Sequence, residues 1–123
     1  MLITKDTNVS RFQIQSFQPG SVKINLQLYT HNILILGEQL MSPWGPKLFS
    51  ELSAKDFEII LEQTPDVLLI GTGVNSIVPT ESLLRPLFLK GIGVEFMDSF
   101  AASRTYMALA AEGRSVSLAL FVN

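Results

Sequence analysis

The chain has 123 residues, of which 47% are apolar and 16% are charged. This balance favours one packed domain over disorder, because two domains of this total length would each lack a core. The net charge of −2 gives no basic surface for a phosphate backbone, so we expect no nucleic-acid partner. With no cysteine and a single histidine, His31, the chain is predicted to hold no metal and no cofactor.

No apolar run approaches the roughly 20 residues that are needed to span a bilayer. The apolar runs Ile33–Leu36 and Val67–Ile70 have four residues each. Residues 1–10 have neither the apolar core of a secretory leader nor the arginines of a transit peptide. We therefore expect one cytoplasmic domain over residues 1–123, which is not itself membrane-spanning and lies at the inner membrane only through partners.

Antiparallel strands are predicted for the first third of the chain. Residues 12–17 indicate a first strand, and Pro19-Gly20 indicates a hairpin turn. Apolar and polar residues then alternate over residues 22–28, which predicts a second strand with one solvated face. Ile33–Leu36 follows as a short, wholly apolar strand.

Helices and strands alternate in the rest of the chain. Residues 37–50 are irregular, and Ser53 has the position of a cap for a helix that ends at Thr64-Pro65. A second helix begins near Thr80 or Ser82, and a third, capped by Ser99, covers residues 100–112. Strands are predicted between and after these helices, at residues 67–70, 92–96 and 115–122. Two strand–helix–strand units after a hairpin predict an α/β sandwich with a mixed sheet.

Short motifs occur together along nearly the whole chain, from Ile14-x-x-Phe17 to the carboxyl terminus. They are Ser42-Pro43-Trp44, Gly71-Thr72-Gly73, Gly91-Ile92-Gly93-Val94-Glu95, Met97-Asp98, Ala102-x-Arg104-Thr105-Tyr106, Leu109 and Glu112-Gly113-Arg114. As a set they resemble the MTH-type domain family of small, uncharacterised proteins. The resemblance implies a three-layer α/β sandwich around a mixed five-stranded sheet, here with an N-terminal antiparallel hairpin.

The resemblance also implies a kind of partner. The family includes the mitochondrial assembly factor of respiratory complex I, and in bacteria related genes often lie near protein-translocation genes. A protein partner from membrane-complex assembly or translocation is therefore expected. The chain departs from the family pattern at Ser99, where Thr is usual, and at Met107, where Asn is usual. The first change keeps a hydroxyl, and the second removes an amide.

The candidate binding surface combines polar strand ends with a rigid aromatic loop, since open α/β sheets most often hold ligands at such ends. Its members are Trp44, Gly71, Thr72, Gly73, Asp98, Ser99, Arg104, Thr105 and Tyr106. Arg104 can approach Asp98, and the two either lock strand to helix or hold a ligand. Trp44, on a loop between two prolines, either anchors an interface or folds over the edge of the core.

No complete catalytic set is visible. The pattern Gly71-x-Gly73-x-x-Ser76 follows a strand but lacks a third glycine, so a sharp backbone turn is favoured over a dinucleotide loop. Ser103 has no histidine or lysine placed to activate it, and Tyr106 has alanine, not lysine, four positions later.

The leading functional hypothesis is a non-enzymatic binding or assembly protein. One alternative is a small-molecule-binding protein or enzyme that uses a cleft around Gly71–Gly73, Asp98 and Arg104. Another is a structural homo-oligomer that pairs through Ile33–Leu36 or the last strand.

Overall fold

The computed structural model describes residues 11–123 and arranges them as two β-sheets and three α-helices. The expectation that residues 1–10 carry no leader falls outside this range.

A small antiparallel sheet comes first in the chain. In spatial order its strands are β1 (Ile14–Gln18), β2 (Ser21–Ile24) and β3 (Gln27–Tyr29). The Pro19-Gly20 turn joins β1 to β2, and Gly20 has a φ of 91°, which glycine adopts without strain. The predicted hairpin is therefore present, although it belongs to a sheet of its own.

The prediction of one unbroken strand over residues 22–28 is wrong. Asn25 and Leu26 have φ values of 52° and 69°, which reverse the chain in a tight two-residue turn. Asn25 tolerates this conformation, and its side-chain oxygen accepts the N–H of Gln13 at 2.7 Å. The alternating pattern did not reveal this break, because Leu26 continues the pattern although it is 79% exposed at the turn.

The second sheet has five strands in the order β5-β4-β8-β6-β7. They are β4 (Ile33–Leu36), β5 (Gln39–Met41), β6 (Val67–Gly71), β7 (Gly93–Met97) and β8 (Val116–Leu120). Strand β6 is parallel to β7 and β8, whereas β4 is antiparallel to β5 and β8, so the sheet is mixed, as predicted. The prediction that residues 37–50 are wholly irregular is wrong, because β5 lies among them; three residues are too few to show a period.

The helices are α1 (Glu58–Gln63), α2 (Glu81–Leu89) and α3 (Ser99–Ala111), and two short 3-10 turns at Phe49–Glu51 and Ala54–Phe57 precede α1. At the predicted cap before α1, the Ser53 N–H donates to the Asp56 carboxylate at 2.9 Å. Thr80 caps α2 with its hydroxyl.

The five-stranded sheet forms the middle of three layers, because successive residues of its inner strands are buried on opposite faces. Helix α3 and the small sheet cover one face, where Tyr106 and Phe17 pack. Helices α1 and α2 cover the other face together with the loop of Trp44. The predicted three-layer α/β sandwich is confirmed.

Both strands that were predicted to pair between copies are interior to this sheet. Strand β4 lies between β5 and β8, and β8 lies between β4 and β6. Their backbone groups are therefore already paired, and the hypothesis of a homo-oligomer joined through them is wrong. The outer strands of the large sheet are β5 and β7.

Candidate functional site

Strands β5, β6, β7 and β8 end at one edge of the large sheet, and β4 begins there. We call this edge, with the loops that leave it, the strand-end face. It comprises residues 30–32, 42–52, 71–80, 98–99 and 121–123. The face brings together six of the predicted site residues, which are Trp44, Gly71, Thr72, Gly73, Asp98 and Ser99.

Backbone hydrogen bonds join the loops that follow β6 and β7. The N–H of Thr72 donates to the Met97 carbonyl at 2.9 Å, and the N–H of Ser99 donates to the Gly73 carbonyl at 2.7 Å. In α/β proteins that bind nucleotides, the crevice at this position holds the phosphate groups. Here its backbone groups are already bonded within the protein.

Ser99 is fully buried and connects the ends of three strands. Its hydroxyl donates to the Phe121 carbonyl at 2.7 Å and accepts the N–H of Gly73 at 2.9 Å. The prediction that Ser99 caps α3 is wrong, because the cap is Asp98, whose carboxylate accepts the N–H of Ala101 at 2.9 Å. Asp98 has an extended backbone and Ser99 is the first helical residue, so the serine side chain turns inward.

Gly71 and Gly73 allow the loop after β6 to approach α3 and the end of β8 closely. A Cβ on Gly71 would lie 2.6 Å from Cδ1 of Leu120 and 2.7 Å from the Ser99 hydroxyl oxygen. Gly73 has a φ of +111°, and a Cβ there would overlap the backbone oxygen of Asn123. Protein atoms thus occupy the space that a phosphate would take beside a dinucleotide loop. This packing supports the sharp-turn interpretation of the Gly71-x-Gly73 pattern.

Thr72 fixes the loop that leaves this crevice. Its buried hydroxyl donates to the Asn75 carbonyl at 2.6 Å and accepts the N–H of Ile77 at 3.1 Å. The loop over residues 74–79 is therefore held against the strand ends. Four members of the predicted surface shape the face without reaching solvent; they are Gly71, Thr72, Gly73 and Ser99.

Ser99→Ala is expected to lower the free energy of unfolding by about 2 kcal/mol, because two buried backbone groups would lose their partner. Ser103→Ala is the matched control on the same helix, since that hydroxyl only adds a bond at 2.8 Å to the Ser99 carbonyl. Its loss should cost under about 1 kcal/mol. Denaturant unfolding measures both variants, and equal losses would contradict the bridging role of Ser99.

The ring of Trp44 folds over the edge of the core, and only 8% of the residue is exposed. It meets Phe121 edge to face, with ring centroids 6.2 Å apart. This arrangement matches one of the two interpretations open for Trp44 from the sequence. Its loop nevertheless forms a wall of a cavity, described below, so the residue still contributes to the strand-end face.

Asn32 organises the Trp44 loop, and sequence reasoning missed it. It is buried, and its amide nitrogen donates to the Pro46 carbonyl at 2.7 Å and to the Lys47 carbonyl at 3.3 Å. Its amide oxygen accepts the N–H of Val122 at 2.8 Å. One side chain therefore ties the loop to the end of β8. A single Asn in a turn gives no sequence signal for this role.

A cavity of about 440 Å³ opens between the Trp44 loop and the end of β8, and residues 30–32, 43–47 and 122–123 line it. Two smaller hollows of about 200 and 240 Å³ continue it across the strand-end face. The first hollow shares Lys47 and Asn123 with the cavity, and the second shares Phe49, Ser50 and Ile77 with the first. We call this row of three concavities the strand-end groove.

Large apolar side chains are exposed on the two loops that border the groove. Val78 is 76% exposed and Leu48 is 50% exposed, and Ile77 and Val74 are exposed by 42% and 40%. Leu48 and Ile77 line the same hollow, and Ile77 and Val78 line the next, so the exposed apolar surface is continuous.

The other predicted residues lie along α3, away from the groove. Arg104 is exposed beside β1. Tyr106 is buried in the core on the α3 face of the sheet. The hydroxyl of Thr105 donates to the sulfur of Met97 at 3.4 Å. The nine predicted residues therefore do not form one surface.

Asp98 and Arg104 do not form the ion pair that the sequence suggested. Within residues 11–123 the one ion pair joins Arg85 to Glu81 at 3.9 Å. In the same range no three His, Asp or Glu side chains are placed to hold a metal ion. Of the helices in the described part of the chain, none has the length and apolar character to cross a membrane.

This fold recurs in solved structures of bacterial proteins. A crystal structure of a protein from Bordetella parapertussis is 32% identical, with a TM-score of 0.84, and the match covers 91% of this chain and 96% of that one. A solution structure of a Bordetella pertussis protein, described as a Mth938-like domain, is 25% identical with a TM-score of 0.75. That match covers 99% of this chain and 90% of the other. The class is thus a small α/β domain of the Mth938-like type.

Residues 14–121 match the family described as "Protein of unknown function (DUF498/DUF598)", and the chain belongs to this family. The resemblance to the MTH-type domains is thereby confirmed. A relative from Francisella tularensis subsp. holarctica, named "13 kDa major membrane protein", is 27% identical over 105 residues. Those residues are 84% of this chain and 85% of the relative.

Proposed function

We propose that this chain is a non-enzymatic binding and assembly protein that holds a segment of a protein partner in the strand-end groove. The observation that carries the proposal is the continuous apolar surface along the groove. Exposed apolar residues scattered singly are ordinary, but a contiguous patch beside a concavity marks an interaction site. The most exposed member is Val78, at 76%.

The groove has the parts that a protein interface uses. The cavity beside Trp44 is large enough for a partner side chain, and the exposed loops on either side supply apolar area around it. Lys47 lies between the cavity and the next hollow and gives the floor a positive charge. A partner segment with an apolar anchor and a flanking acidic residue suits this arrangement.

We further propose that the partner belongs to a membrane-associated complex, such as a respiratory or translocation complex. The resemblance to the family of the complex I assembly factor supports this partner, and so does the name of the Francisella relative. The chain would then act in the cytoplasm and reach the inner membrane through its partner.

Val78→Asp is expected to abolish capture of the partner, because a charge would enter the apolar border of the groove. Leu89→Asp is the matched control: Leu89 is 79% exposed, and it lies at the end of α2, next to the start of β7 and thus opposite the groove. Tagged parent and both variants are expressed at normal levels in the native host, and captured proteins are identified by mass spectrometry.

Subunits of a membrane complex captured by the parent and by Leu89→Asp, but not by Val78→Asp, are the expected result. Both variants replace an exposed apolar residue, so both should melt within about 3 °C of the parent. Equal capture by Val78→Asp would remove the groove from the interface. If the parent captured only soluble proteins specifically, binding in the groove would still be supported. The proposal that the partner belongs to a membrane-associated complex would be overturned.

A small ligand in the Trp44 cavity is the second candidate function. Its volume of about 440 Å³ lies within the range of small-molecule sites, and His31 and Lys47 could face an anionic group there. This cavity takes the place of the cleft predicted around Gly71–Gly73, Asp98 and Arg104. Native mass spectrometry of the purified chain tests the candidate, because a copurified ligand would add a discrete mass that Trp44→Ala should lose.

A further inference from the structure

We propose that the groove between β1 and α3 is a second binding site, which accepts a short extended peptide carrying an acidic side chain. The groove has a volume of about 440 Å³ and shares no lining residue with the strand-end groove. Strand β1 lines one wall with residues 14–17. Helix α3 lines the other with Phe100, Ser103, Arg104 and Met107.

Among residues 11–123, strand β1 is an edge strand whose outer backbone groups face this groove. Within that range it pairs only with β2, and the two-residue turn makes Gln18 and Ser21 the hydrogen-bonded pair beside it. In an antiparallel ladder the next pair, Phe17 and Val22, is not hydrogen-bonded. The N–H and C=O of Phe17 therefore point away from β2, and because Phe17 is only 8% exposed, an added strand would reach them through the groove.

The backbone of Ile14 is a second indication that the outer edge of β1 can accept another strand. Its N–H is directed at the sulfur of Met107, at 3.3 Å. A thioether is a weak acceptor, so a peptide carbonyl would make a stronger bond with the same N–H. A bulge at Gln15 interrupts the β1–β2 register. This bend limits pairing to one short segment and discourages open-ended sheet growth.

The side chains along the groove define what the peptide must carry. Phe100 is 37% exposed and meets Phe17 edge to face at 4.8 Å, so the floor is aromatic and suits an apolar side chain. Arg104 is exposed in the same groove, and among residues 11–123 no carboxylate lies within 4.0 Å of it. Its guanidinium can bind an Asp or Glu of the peptide through two parallel hydrogen bonds.

The edge of β1 favours a peptide over an acidic lipid, because an extended peptide presents a donor and an acceptor at the spacing that pairing with Phe17 requires. Random ten-residue peptides displayed on phage are selected against the immobilised full chain. We expect enrichment of sequences with an acidic residue in fixed register with an apolar one. Synthetic peptides of the enriched sequence are then titrated by fluorescence anisotropy.

Arg104→Glu should weaken binding of this peptide at least about tenfold, since a charge-assisted hydrogen bond is replaced by repulsion. Changing the acidic residue of the peptide to lysine should restore binding to that variant. Arg114→Glu is the control, because Arg114 is also exposed but lies beyond the far end of α3. The Val78→Asp variant should bind as tightly as the parent, which separates this site from the strand-end groove.

Methylation of peptide backbone nitrogens distinguishes strand pairing from side-chain docking. Methyl groups on one alternate set of amides should reduce affinity about tenfold, and those on the other set should not. The proposal is overturned if no sequence is enriched, or if Arg104→Glu binds as well as the parent. It is also overturned if Val78→Asp loses the peptide or if both methylated peptides bind normally.

Discussion

Gly73→Ala is expected to lower the free energy of unfolding by about 4 kcal/mol, the largest loss we predict for a single methyl group. A non-glycine residue at a φ of +111° is strained by roughly 1–3 kcal/mol. The added Cβ would also meet the backbone oxygen of Asn123, and moving that oxygen away would disturb the hydrogen bond that it accepts from the N–H of Val74. Overpacking of this kind typically costs a further 1–3 kcal/mol.

Gly20→Ala isolates the strain from the clash. Gly20 has a φ of +91°, and nothing lies within 4 Å of the position where its Cβ would be built. This variant should therefore lose only about 1–2 kcal/mol. Urea unfolding of the parent and both variants measures the difference. If the two variants were equally destabilised, the contact between Gly73 and Asn123 would not hold the crevice closed.

Asn32→Asp is expected to destabilise the chain by at least about 3 kcal/mol, although the two side chains have nearly the same shape. The Asn32 amide donates to the carbonyls of Pro46 and Lys47. A carboxylate cannot donate, so its charge would face two carbonyl oxygens in a buried site. Each buried group left without a partner costs about 1–3 kcal/mol.

Asn75→Asp is the matched control for this change, because it replaces an amide by a carboxylate at an exposed position. It should alter stability by less than about 0.5 kcal/mol. Fluorescence of Trp44, the one tryptophan in the chain, gives a second readout, since the loop that Asn32 holds carries that ring. Unchanged fluorescence and unchanged stability in Asn32→Asp would show that the loop is held by other contacts.

The tight packing at Gly73 and Asn32 explains why we expect a partner to bind at the outer surface of the strand ends and not inside the crevice. In nucleotide-binding α/β proteins the loop after the first strand leaves backbone N–H groups free for a ligand. Here the N–H groups of Thr72 and Gly73 donate to Met97 and Ser99. What faces solvent instead is the loop over residues 74–79, with Val78 at its most exposed point. A surface of this kind suits a protein partner.

Much of the fold could be predicted from residues alone. Runs such as Ile33–Leu36 and Val67–Ile70 are apolar at every position, and a short run of this kind between turn residues is typical of a strand covered on both faces. Turn chemistry placed the Pro19-Gly20 hairpin correctly. It failed at Asn25-Leu26, where an exposed leucine continued the alternating pattern through a turn.

The candidate site depended on contacts between distant parts of the chain. Sequence patterns identified Gly71–Gly73 and Ser99 as strand-end residues, because glycine and serine there follow apolar runs. They could not tell that Asn32 would meet Pro46 and Val122. The bond to Val122 requires the pairing of β4 with β8, and the bond to Pro46 requires the Trp44 loop to fold back on the start of β4. Whether a polar side chain faces solvent or a neighbouring carbonyl is decided by such pairing, and a single sequence carries no periodic signal for it.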